Sequence, residues 1–174
     1  MLHSNRGQAP FRKISSGLRK FKPMKELSPA KQWDGFLARF NPEIVTLVKA
    51  SLVRMRKRVP GATELVYDNF NALVIGFGPT ERASHAVFSI AIYPRWANLF
   101  FLQGARLADP NRLLKGSGGV VRHLRLSDPK LIDEPSVREL MQRALAQAKV
   151  PLDPKAKRRM VIKSISAKQR PRKP

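Results

Sequence analysis

The sequence predicts an α+β fold: an antiparallel sheet of about five strands in a meander, with two main helices packed on one of its faces. Three observations predict it. Apolar residues recur at helical spacing over residues 33–59 and again over 137–148. Between these stretches, from 64 to 126, they alternate with a period of two. Clusters of Gly, Pro, Asn and Asp cut that middle region into short runs, and strands joined by short turns pair with their sequence neighbours.

Ser28 before Pro29 is a helix start, an N-cap side chain ahead of a proline at the first helical position. Trp33, Phe36, Leu37 and Phe40 trace one apolar face, and Asn41 with Pro42 restarts the pattern. Ile44, Leu47, Val48, Leu52, Met55 and Val59 continue it. Lys49, Arg54, Arg56, Lys57 and Arg58 crowd the outer side and the last turn, where cations suit the helix dipole. Pro60 and Gly61 stop the helix. Strands are expected at 64–67, 72–77, 86–93 and 97–102, and a fifth at 120–126 follows the loop of Asp109, Pro110, Asn111 and Arg112 and the Gly-rich segment 115–119. Leu73, Ile75 and Phe77 share a face, as do Phe88, Ile90 and Ile92. Ser89 and Tyr93 are left on the other, so one face is covered and one is at least partly open. Asp133, Glu134 and Pro135 suit the N-terminus of a last helix carrying Val137, Leu140, Met141, Ala144, Leu145 and Ala148 on one side.

The net charge of +22 sits mainly at the two ends. Residues 1–25 hold seven Lys or Arg and no acid, and residues 149–174 hold ten against Asp153 alone. Residues 26–148 hold 17 basic against 11 acidic side chains. The chain therefore divides into a basic N-terminal arm (1–27), a folded domain (28–150) and a basic tail (151–174), which is expected to stay disordered until an anion or a groove orders it. In the first arm Phe11, Ile14, Leu18 and Phe21 have helical spacing between Pro10 and Pro23, with Gly17 in the middle; an amphipathic helix and a mostly disordered arm are both open readings. The arm is acid-free like an organellar transit peptide, but a basic disordered arm has the same composition. Having no cysteine, the chain excludes disulfides, thiolate metal sites and a cysteine nucleophile, and is compatible with a reducing cytoplasm. No apolar run approaches the roughly 20 residues that span a bilayer, and the expected location is cytoplasmic.

Several words in the sequence recur in a known order: Pro60-Gly61 before Glu64-Leu65-Val66-Tyr67-Asp68-Asn69, then Ala86 to Pro94, then Leu99-Phe100-Phe101-Leu102-Gln103-Gly104-Ala105, then Lys115-Gly116-Ser117-Gly118 running into Arg122-His123-Leu124-Arg125-Leu126. Over residues 36–148 the chain thereby resembles the YdhG-like family of small bacterial domains of unknown function. The resemblance implies a frataxin-like sandwich and, for some relatives, a role as an iron chaperone serving iron–sulfur cluster assembly. It implies no catalytic residues. Frataxin-type iron sites resemble an acidic ridge on the first helix. Here the corresponding helix carries Lys49, Arg54, Arg56, Lys57 and Arg58, which repel a hard cation.

Candidate chemistry is sparse. The segment 115–119 differs from a Walker loop because Lys115 comes first and a strand follows, so a flexible loop is the favoured reading. His3, His85 and His123 have no metal-ligand spacing, and no Gly-x-Ser-x-Gly elbow occurs. Tyr67, Asp68, Asn69, Tyr93 and Trp96 are the candidates for a ligand surface, at strand ends and turns where loops converge; the plainer alternative is turn chemistry and core capping. Lys115, Arg122, His123 and Arg125, with Lys155, Lys157, Arg158 and Arg159 and the run 170–173, are candidates for contact with an anion or nucleic acid, against the alternative of solubilising charge. The expected function is a non-enzymatic binding module with weak, sequence-indifferent affinity for nucleic acid or another polyanion. No cofactor and no metal ligand are expected, and the protein or small-molecule partner is unknown. Two other expectations stand beside it: an iron chaperone of frataxin type, and an enzyme using Asp68 or Glu64 as a base at the open sheet face.

Overall fold

The computed structural model describes residues 27–174. The amphipathic stretch from Phe11 to Phe21 and nearly all of the N-terminal arm lie outside the described residues.

Three helices form. α1 spans Pro29–Leu37, and the Ser28 hydroxyl accepts from the Lys31 amide at 3.4 Å. α2 spans Pro42–Arg58, with Glu43 in its first turn and Arg56, Lys57 and Arg58 in its last. α3 spans Pro135–Ala146. Pro42 lacks an amide proton and restricts Asn41 to extended geometry, so the expected first helix is two helices with a sharp corner between them.

The strands are β1 (Thr63–Asp68), β2 (Leu73–Gly78), β3 (Phe88–Tyr93), β4 (Trp96–Phe101), β5 (Arg122–Leu126) and β6 (Arg159–Ile165). The first five form the expected antiparallel meander. Among the described residues the sheet is mixed and six-stranded, in the order β5-β4-β3-β2-β1-β6, because β6 lies parallel to β1. This corrects the expectation of a purely antiparallel five-stranded sheet, and of a tail disordered from residue 151. Met160 and Ile162 pack against the core from the sheet edge, and the backbone ladder that recruits them does not depend on the cationic side chains between. A bulge at Lys163 shifts the register between Val66 and Tyr67.

One row of paired residues, Val66, Ile75, Ile90, Leu99 and Leu124, crosses five strands on the helix-covered face, and all five are buried. Val48, Leu52 and Met55 of α2 and Val137, Leu140 and Met141 of α3 close over it. Phe88 and Phe101 meet edge-to-face, with ring centroids 5.3 Å apart. By alternation, Leu65, Tyr67, Val74, Ser89, Ala91, Tyr93, Trp96, Asn98, Phe100, His123 and Arg125 belong to the outer face.

The tail is held at both ends of β1. Gly61 has a φ of +77°, and a Cβ there would stand 2.1 Å from the Asp153 carbonyl oxygen, so only glycine admits the incoming tail. At the other end the Ser166 and Arg170 amides donate to the Asp68 and Phe70 carbonyls, both at 2.9 Å.

Candidate functional site

Glu64 and Asp68 stand at the two ends of β1 on the helix-covered face, both buried. Each is held by one arginine from the helical layer and one from the tail. Arg56 grips Glu64 through two hydrogen bonds of 2.8 and 2.9 Å, and Arg158 lies 3.8 Å away. Arg39 donates to Asp68 at 2.5 Å and Arg172 at 2.9 Å. Arg172 is only 4% exposed, lies over the Phe40 ring and also donates to the Asn69 carbonyl. These carboxylates serve structural ion pairs, on the face away from Tyr67. That geometry removes both acids proposed as a base at the open face.

The opposite arrangement is found where the β1–β2 turn, the β3–β4 hairpin and the docked tail meet. There a cleft of about 710 Å³ is lined by Asn71, Tyr93, Pro94, Arg95, Trp96, Arg170, Pro171, Lys173 and Pro174. Tyr93 pairs with Trp96 in register, and their rings stack at 5.1 Å with 29° between planes. From the neighbouring strand the Arg125 guanidinium lies 5.0 Å from the Trp96 ring centroid. On the tail side the Arg170 guanidinium lies 5.5 Å from the centroid of Phe70, itself 47% exposed. Arginine and aromatic ring thus alternate across this end of the sheet, with the cleft between the two groups. Further along β4, Phe100 and His123 meet at 5.3 Å on the same outer face.

The candidate ligand residues are only partly brought together. Tyr93 and Trp96 line the cleft; Asn69 sits in the adjoining turn, where Asn71 is the lining residue instead. Asp68 faces the helices. Tyr67 is on the outer face of β1, where desolvation raises its phenol pKa above the usual value. Its Oη, like Asn98 Oδ1, is buried with no hydrogen-bond partner among the described residues.

The anion candidates are spread over both sheet edges, about 24 Å apart at five strand spacings. Lys115 and His123 close a small hairpin through reciprocal backbone hydrogen bonds of 2.8 and 2.9 Å. Gly116 within it has a φ of +115°, and the Arg122 guanidinium folds onto the Gly118 and Val121 carbonyls. The segment is therefore a loop extending the β5 edge. Lys155 and Lys157 are exposed, whereas Arg158 approaches Glu64 and Arg159 pairs with Glu81 at 3.0 Å. Of the eight, Arg125 joins the Tyr93–Trp96 pair and His123 meets Phe100.

Arg95 and Asn71 were not among the candidates. The run 170–173 stood out by charge, but nothing local to it says that it docks beside the 93–96 turn. Among the described residues no three His, Asp or Glu side chains converge to hold a metal, and no helix is long and apolar enough to cross a membrane. No family model, curated protein or solved structure matches this chain.

Proposed function

We propose that this chain is a non-enzymatic binding module for polyanions, nucleic acid among them, built on a YdhG-like core whose cationic tail completes the binding surface. One observation carries the reading: the tail places Arg170 and Lys173 across a cleft from Arg95, beside a half-buried aromatic pair, while the buried acids of β1 are already engaged by other arginines. Three cations around an open cleft can neutralise phosphates without reading sequence. In this reading the tail acts as a folded part of the surface, rather than as a flexible fringe around a quiet domain.

Binding of the full chain to nonspecific duplex across a salt series tests it. Each phosphate contact contributes about 0.9 to the slope of log affinity against log salt. The triple variant Arg95→Gln, Arg170→Gln, Lys173→Gln should therefore bind more weakly, with a slope shallower by about 3. An unchanged slope with an intact fold would remove the cleft from the polyanion site.

A further inference from the structure

We infer that the cleft and the outer face beside it bind single-stranded nucleic acid, with a base stacked against the Tyr93–Trp96 pair and its phosphates held by Arg95, Arg170 and Lys173. This rests on the polyanion reading above and adds the ligand's form.

The surface offers two kinds of contact at once. Phosphate alone needs cations, and Lys155 and Lys157 at the other end of the sheet would serve it equally; only a ligand that also carries flat apolar rings uses Tyr93 and Trp96. In a duplex those rings are stacked inside the helix and cannot reach a side chain, whereas a single strand presents them. Trp96 has Tyr93 of β3 as its register partner on one side and the Arg125 guanidinium of β5 over its ring on the other, and Tyr93 and Trp96 both line the cleft whose opposite wall is the tail. A planar ring entering there meets Tyr93 and Trp96 on one side and Arg170 with Pro171 on the other.

A second platform continues the path. Phe100 and His123 lie on the same face, four residues along β4 from Trp96, or about 13 Å at 3.3 Å per residue. Asn98 lies between the platforms on that face, half-buried. Repeated stacking positions along one strand suit a chain of nucleotides, where a single cleft would suffice for a free one.

The test uses the full chain and four probes: oligo(dT) of about 12 nucleotides, the same length of duplex, thymidine monophosphate, and heparin as a polyanion without bases. The chain has two tryptophans, and Trp33 is buried, so a Trp33→Phe background leaves Trp96 as sole fluorescence reporter. We expect oligo(dT) to quench Trp96 and to bind more tightly than the other three. Tyr93→Ala and Trp96→Ala should each lower oligo(dT) affinity roughly 5- to 150-fold, the range for losing one stacked base, with heparin binding unchanged. Trp96→Phe keeps a ring and should retain most of the affinity, which separates stacking from misfolding. Equal binding of duplex and oligo(dT), indifferent to Trp96→Ala, would overturn the inference and leave the polyanion reading standing. Thymidine monophosphate binding as tightly as the oligomer would also overturn it, in favour of a free nucleotide. Failure of all four probes to bind would remove both readings.

Discussion

The two faces of the sheet treat arginine in opposite ways. On the helix-covered face Arg39, Arg56, Arg158 and Arg172 are engaged with two buried carboxylates, while at the rim of the outer face Arg95, Arg125 and Arg170 lie among aromatic rings and the walls of a cleft. The same residue type fastens the fold in one place and stays open to solvent in the other. What distinguishes them is desolvation: a buried charge must be answered by the protein itself, and an exposed one is left for a partner in solution.

The strongest way to break this contrast is Asp68→Ala. It strands Arg172, and leaving one member of a buried pair uncompensated costs about 3–5 kcal/mol. At roughly 2–4 °C per kcal/mol for a domain of this size, a fall in Tm on the order of 10 °C is expected in a thermal melt. A loss under about 1 kcal/mol would mean that the clamp is not what fastens the tail. Gly61→Ala comes next. It combines strained left-handed backbone with a clash against Asp153, for about 1–3 kcal/mol, and faster exchange of the β6 amides should accompany it. By contrast, Arg125→Gln on the outer face should change stability by no more than about 0.5 kcal/mol, while weakening oligonucleotide binding.

The smallest effect sharpens the contrast through pH. Hydrogen bonding from Arg58, with Arg54 adding to it, holds the Asp133 carboxyl below its usual pKa. A carboxylate with a depressed folded pKa contributes stability that is present above its unfolded value, about 3.9, and is lost as pH falls through the folded one. The Tm difference between the unmodified chain and Asp133→Asn should therefore be largest near neutrality and shrink below about pH 4. A difference that stays constant down to acid would mean that the charge on Asp133 contributes nothing.

Much of the fold was legible because it is written in local periodicity. The expected strand at 64–67 is Thr63–Asp68, and the helix starts at Pro29, Pro42 and Pro135 follow from cap and proline chemistry. Residues 159–165 were missed because their charge suggests solvation, while their placement depends on an unpaired edge of β1 and on acids far away in sequence; Asp68 and Arg172 are 104 positions apart. The site divides in the same manner. Tyr93 and Trp96 were visible as a turn with two rings, but Arg170 and Lys173 join them only once the sixth strand has docked.

That strand has a protective consequence as well. The outermost strand of a sheet offers free amides and carbonyls on which another chain can build, and among the described residues β6 occupies that position. It carries Arg159 and Lys163 exposed, with the bulge at Lys163 disturbing its regular pleat. Two copies approaching edge to edge would set like charges against each other along a mismatched ladder, which disfavours pairing through this edge.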